Sequence, residues 1–399
     1  MIETTQPTYL VLDPVDRWDK DSVLEFLSPA HGGGLAVDCV PGQPTKFAES
    51  LADRLDCPVA LTLDPARQTL YLLELRAACI NSISLQLQNL KLKDSCSYSS
   101  KTDASRDGPC QDLEFSTLPA IGGKGRSPRQ LLNPRGLATL ADGSLVVTDT
   151  GHHQVKVFSA SPHALLAVWG DGKPGDGSMQ FKSPWKVVAD PCGLIYVADR
   201  GNGRIQRIQR DGSPRAPITG FVSPKALALR SDGMLAVLDG SDVLVFAAGK
   251  SHHIQKLEVP TGSCLAFDGD NNLYAGTSTA LIYKFVPDAK DLYREAGIGV
   301  TGRDAQFLDL LWTREGQLLG ILLDRCAAKP QLLSICTCGS YSPSGTLTSE
   351  TLDSGLENCT WHRIQLEADV PTGTSIEVAT QTSNKEWPKD SAFQAESFS

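Results

Sequence analysis

Several large protein classes are excluded by what the 399-residue chain lacks. No run approaches the roughly 18 apolar residues of a membrane-spanning helix, so no membrane span is expected. The start, Met1-Ile2-Glu3-Thr4-Thr5-Gln6-Pro7, carries neither the basic nor the apolar region of a secretory signal, and a cytoplasmic protein is expected. No Gly-x-Ser-x-Gly elbow occurs, and no nucleophile stands at a recognisable spacing from a base. Cys336 and Cys338 are the only close cysteine pair, with no second pair and no His pair at zinc spacing, so neither metal nor cofactor is expected. The eleven cysteines, an odd number, read as thiols and not as a disulfide framework. A net charge of −9 makes nucleic acid an unlikely main partner.

What the chain does contain is a pattern written twice. Asn133-Pro134-Arg135-Gly136-Leu137, a turn at Asp142-Gly143, Leu145 to Asp149 and Val155 to Phe158 make the first copy. Ser183-Pro184-Trp185-Lys186-Val187, a turn from Asp190 to Gly193, Leu194 to Asp199 and Gly203-Arg204-Ile205 make the second, fifty residues on. Each reads as a β-meander, with short β-branched runs parted by turns that Gly, Asp and Asn permit, and a repeat of this length made of strands implies radial repetition. Further copies begin at Cys57, Ser223 and Ser263, and a worn sixth at Phe307. The spacing from inner leucine to the first leucine after the turn recurs in Leu137 to Leu145, Leu265 to Leu273 and Leu310 to Leu318, which sets the count at six blades. Asp149, Asp199, Asp239 and Asp324 recur in register and are expected to accept backbone N–H bonds in the turn that follows. His152-His153 and His252-His253 read as surface polar pairs, since neighbours on a strand point to opposite faces.

Asp199-Arg200-Gly201-Asn202-Gly203-Arg204-Ile205 resembles the NHL-repeat propellers, a likeness that runs over about residues 55 to 338. The expected fold is therefore all-β: an NHL-like six-bladed β-propeller at residues 51–339, with a polar insertion at 88–126. Residues 1–50 would form an N-terminal closing segment, with Leu35 to Cys39 as the strand that closes the ring and a short helix around Asp21 to Phe26. Gly122-Gly123-Lys124-Gly125-Arg126 is not read as a phosphate loop, because no strand is seen before it and no helix after it. Residues 121 to 230 hold 15 Lys and Arg against 7 Asp and Glu, leaving −17 for the rest. Arg200, Arg204, Arg207 and Arg210 are the candidate basic binding surface on this stretch.

Residues 340–399 read as a partial C-terminal β-sandwich. The runs Leu352-Asp353-Ser354-Gly355, Cys359-Thr360-Trp361-His362-Arg363-Ile364 and Ala368-Asp369-Val370-Pro371-Thr372-Gly373-Thr374 resemble a module of phage-tail-like proteins from contractile injection systems. That resemblance implies a structural, non-enzymatic, baseplate-associated or appendage component, partnered by other subunits of the particle, with Trp361, His362 and Arg363 as the assembly edge. Two alternatives stand beside it. One is a calcium-dependent lactonase-type hydrolase, which would need oxygen ligands converging on the propeller axis where the inner runs are mostly apolar. The other is a cytosolic NHL-type scaffold that binds protein or RNA.

Overall fold

The computed structural model describes residues 56–348 apart from 65, 85–113, 289, 301–304, 314–315, 326–329, 336–339 and 342–345, together with five short strands between Val23 and Lys46. The chain divides into two units, Met1–Leu347 and Thr348–Ser399, and the propeller lies in the first. Six four-stranded antiparallel sheets follow one another along the chain. Their innermost strands are Pro58–Asp64, Gly136–Thr139, Pro184–Ala189, Pro224–Leu229, Gly262–Phe267 and Ala305–Trp312, and each packs against the innermost strand of both neighbours. The chain is a six-bladed β-propeller.

One turn geometry repeats from blade to blade. In blade 2 the Leu140 N–H donates to Ser144 O and the Gly143 N–H to Leu140 O; the same pair of bonds recurs at Asp190–Leu194, Arg230–Met234, Asp268–Asn272 and Thr313–Gln317. The fourth residue must take a left-handed backbone, which Gly143, Gly193, Gly233 and Gly316 do at φ 83 to 93° and Asn271 at 68°. This five-residue turn is the physical origin of the constant leucine spacing.

Burial follows from radial packing. Ile195 and Val197 face blade 2, whereas Tyr196 and Ala198 on the same strand face blade 4. The second strand of each blade is thus buried on both faces, and the core consists of wedges between neighbouring blades.

Four expectations are corrected. The ring is closed by Thr45–Lys46, which pairs with Ser334 and Leu333 as the fourth strand of blade 6, and not by Leu35 to Cys39. Leu35–Val37 pairs instead with Leu27–Pro29, and Cys39–Val40 with Ser340–Tyr341. Val23–Glu25 is a strand where a helix was expected, being too short a segment to repay helix nucleation without tertiary support. The polar insertion is shorter than read, because Glu114–Gly122 is the outermost strand of blade 1; a strand therefore does precede Gly123-Lys124-Gly125. Lastly, Asp149, Asp199 and Asp239 take their backbone N–H bonds from before the blade and not from the turn after them. Asp149 Oδ1 accepts from Leu132 N, Asp199 Oδ1 from Lys182 N and Asp239 from Val222 N and Ser223 N, each from the segment leading into its own blade's innermost strand. Glu74 holds Cys57 N in the same way in blade 1.

In an antiparallel meander, the start of the first strand, the turn between the second and third strands, and the connection to the next blade all lie at one end. Those three features of every blade therefore share one face, called here the upper face. The turns between first and second strands and between third and fourth strands lie on the lower face.

Candidate functional site

At the upper face the innermost strands begin in register with Pro58-Val59, Pro134-Arg135, Pro184-Trp185, Pro224-Lys225 and Gly262-Ser263. The register slips just after Pro58, Pro184, Pro224 and Gly262, so Val59, Trp185, Lys225 and Ser263 sit at β-bulges. A bulge re-aims its side chain away from the sheet. In blades 2, 3 and 4 this position carries a cation, an indole and a cation, side by side around the channel mouth.

The guanidiniums of Arg135 and Arg200 both lie against the Trp185 ring, 4.6 and 4.4 Å from its centroid. Arg200 comes from the short turn after Asp199 and is steadied by a 2.8 Å bond from Nε to Ser223 Oγ. Lys225 lies close enough to Arg200 for the two charges to act on each other. Burial, and then Arg200, lowers the Lys225 pKa below the ordinary lysine value; burial likewise lowers that of Arg135, with Arg200 adding to it. Among the described residues none of Arg135, Arg200 and Lys225 has a carboxylate within ion-pair distance. Asp239, whose charge reaches Lys225 and partly offsets the lowering of its pKa, already accepts the two N–H groups named above.

Just below the mouth an ion pair crosses the axis. Lys186 Nζ of blade 3 lies 2.5 and 2.6 Å from the two oxygens of Asp309, from the opposite blade 6. Asp309 Oδ2 also accepts from Leu61 N of blade 1 at 2.9 Å, so one buried carboxylate ties three blades. Cys264 is buried beside it, and burial together with Asp309 pushes its thiol up to about 12. The channel is thus crossed by charge below and rimmed above by cations that form no ion pair among the described residues. Among the described residues no group of three His, Cys, Asp or Glu is placed to hold a metal ion.

The four arginines expected to form one surface are not brought together. Arg200 belongs to the mouth. Arg204 turns inward to Asp199 at 2.8 Å and to the carbonyls of Asp176, Gly177 and Gln180. Arg207 faces Arg215 across a strand pair and donates to Ala216 O. Arg210 is on the lower face, paired with Asp142. Trp361, His362 and Arg363 lie outside the described residues, as do Cys336 and Cys338. His252 and His253 are exposed, whereas the other pair is not superficial: His152 Nδ1 is 2.7 Å from Asp149, and His153 Nδ1 accepts from Ser183 N. Arg135, Trp185 and Lys225 were missed because each looks like an ordinary residue of an apolar run; the readable signal was that each directly follows the proline of its repeat.

Blades 2 and 3 correspond residue for residue at an offset of fifty. Lys156 Nζ donates to Gln130 O, and Gln206 Nε2 to Gln180 O. His152 meets Asp149 as Asn202 meets Asp199, although Asn202 also donates to Gly175 O whereas His152 Nε2 is buried without a partner among the described residues. The NHL repeat family model matches residues 131–158 and 181–208, which are these two blades. Blades 2 and 3 are NHL repeats. NHL repeat-containing protein 3 of Homo sapiens is 32% identical over 94 residues, 23% of this chain and 27% of that protein. The probable peptidyl-alpha-hydroxyglycine alpha-amidating lyase pgal-1 of Caenorhabditis elegans is 32% identical over 143 residues, 32% of this chain and 40% of that one. The matches thus span about a quarter to two-fifths of these relatives' length. Among solved structures, a streptogramin B lyase is similar at 13% identity and a TM-score of 0.47, over 73% of this chain and 97% of its own. The nidogen/laminin complex gives 16% and 0.46, over 64% and 84%.

Proposed function

We propose that the NHL propeller is a ligand-binding module whose upper face takes an anionic ligand, with the ligand's carboxylate or phosphate group seated among Arg135, Arg200 and Lys225 at the channel mouth. The observation that carries this reading is the gathering of two half-buried arginines on one indole, with the half-buried Lys225 beside Arg200, and no described carboxylate in ion-pair contact with the three. Holding like charges together out of water is unfavourable unless something neutralises them, and an anion does so while gaining charge-assisted hydrogen bonds. The nearby nucleophile argues for binding over catalysis: burial raises the Cys57 pKa, which favours the unreactive thiol. The same cations would repel a divalent metal approaching the axis, which weighs against the calcium-dependent lactonase alternative. Membership of a contractile injection particle stays a proposal resting on residues 344–383, of which Thr346–Thr348 alone lie among the described residues.

The test is a titration with inorganic phosphate and with glutarate at constant ionic strength, followed by tryptophan fluorescence, with Trp185→Phe identifying the reporter. A saturable change lost in the Arg135→Ala/Lys225→Ala double variant is expected. A response that matches chloride, or that survives in the double variant, would overturn the reading.

A further inference from the structure

The turn between the second and third strands ends in a left-handed residue in blades 1, 2 and 3: Ala78 at φ 50°, His153 at 56° and Gly203 at 58°. What stands there decides whether the seam to the next blade is filled. At the seam between blades 2 and 3, the His153 ring reaches across and accepts the Ser183 N–H at 3.0 Å. Between blades 3 and 4, the connection lays the Phe221 backbone directly on Gly203. Between blades 1 and 2 the residue is Ala78, buried and accepting the Gly123 N–H at its carbonyl, with a side chain too short to reach Asn133 as the His153 ring reaches Ser183. The space it leaves is a cleft of about 260 Å³ lined by Leu75, Arg76, Ala78, Lys124 and Asn133, the last being the counterpart of Ser183.

The position of this cleft gives it direction. Lys124 follows the outermost strand of blade 1, and Asn133 precedes Pro134-Arg135 at the channel mouth, so the cleft runs from rim towards axis. Four strands at ~4.8 Å spacing make that path roughly 14 Å, about four or five residues of extended chain. Arg76 and Lys124 stand along it, and Arg135, Arg200 and Lys225 wait at its inner end. Among the described residues the one ion pair made by this row is that of Arg76 with the exposed Asp56, at 3.5 Å.

We infer that this row is a docking track for an extended acidic polypeptide segment, entering over the rim of blade 1 and placing one carboxylate at the mouth; the inference rests on the anion-binding reading of the mouth. Charge selects an anionic chain, and the lining selects a polypeptide over a nucleic acid. Base recognition without sequence preference relies on open aromatic faces. Among the described residues no aromatic lines the cleft, and the Trp185 ring is already covered by two guanidiniums. The half-buried Leu75 in its floor suits the methylenes of a glutamate side chain.

Blade 2 supplies the decisive variant, Ala78→His, because a histidine already occupies the equivalent left-handed position there as His153. Fluorescein-labelled hexaglutamate, diglutamate and a single-stranded oligothymidylate of similar charge are measured by anisotropy at low and moderate salt. Hexaglutamate is expected to bind the unmodified chain about tenfold tighter than diglutamate, because the second set of contacts is intramolecular. Ala78→His should remove that advantage, leaving diglutamate and inorganic phosphate unchanged. Arg135→Ala should weaken every probe, which would separate failure of the mouth from failure of the track. Equal affinity for both peptides, no effect of Ala78→His, or tighter binding of the oligothymidylate would each overturn the track while leaving the mouth standing.

Discussion

At the residue scale, Lys225 is the group whose protonation reports on the mouth. Burial and Arg200 favour its neutral form, so it loses its proton at a lower pH than a solvated lysine. A bound anion favours the charged form and raises that pKa again. Binding must therefore take up protons once the pH approaches the lowered value, and affinity must fall as the pH rises through it. Calorimetry of phosphate binding at alkaline pH in two buffers of different ionisation enthalpy should show this uptake, and Lys225→Arg should abolish it while retaining binding. The three mouth residues also show how far a single repeat can be read. Arg135, Trp185 and Lys225 occupy equivalent positions with three different chemistries, so comparing repeats identifies the position and conceals its use.

At the scale of elements, neighbouring blades approach each other's backbone where the mouth is built. A Cβ added to Gly136 would stand 2.5 Å from Trp185 O and 2.8 Å from Thr148 Oγ1, and Thr148 itself donates to Trp185 O at 2.5 Å. Glycine is required there because blade 3 lies against it. Gly136→Ala should push the Trp185 strand outward, lower stability by about 1–3 kcal/mol in a denaturant titration and alter tryptophan fluorescence without ligand. Blade count and turn positions were legible, since the five-residue turn imposes a regular spacing on the leucines. Glu114–Gly122 was hidden by the polar stretch before it, and Thr45–Lys46 is too short for any periodicity. Both are strands because partners await them, information held by Cys79–Ser84 and Pro330–Ile335 and not by their own residues.

For the whole molecule, the ion pair between Lys186 and Asp309 joins opposite sides of the ring. Asp309→Ala would leave a mostly buried ammonium without its partner and the Leu61 N–H without an acceptor, so a loss of about 3–5 kcal/mol is expected. Replacing both residues, as in Lys186→Met/Asp309→Leu, should recover much of it. Thermal unfolding of the single and double variants checks the pair. Ring closure carries a further consequence, one of timing. Thr45–Lys46 leaves the ribosome almost three hundred residues before Leu333 and Ser334, the residues it pairs with. Until they emerge, the growing protein is an open crescent with two unpaired edges, and long-range pairing of this kind is slow. Translation speed through residues 305–335 therefore bears on yield: a stall there prolongs the one stage at which this protein can join edge to edge with its neighbours on the same message.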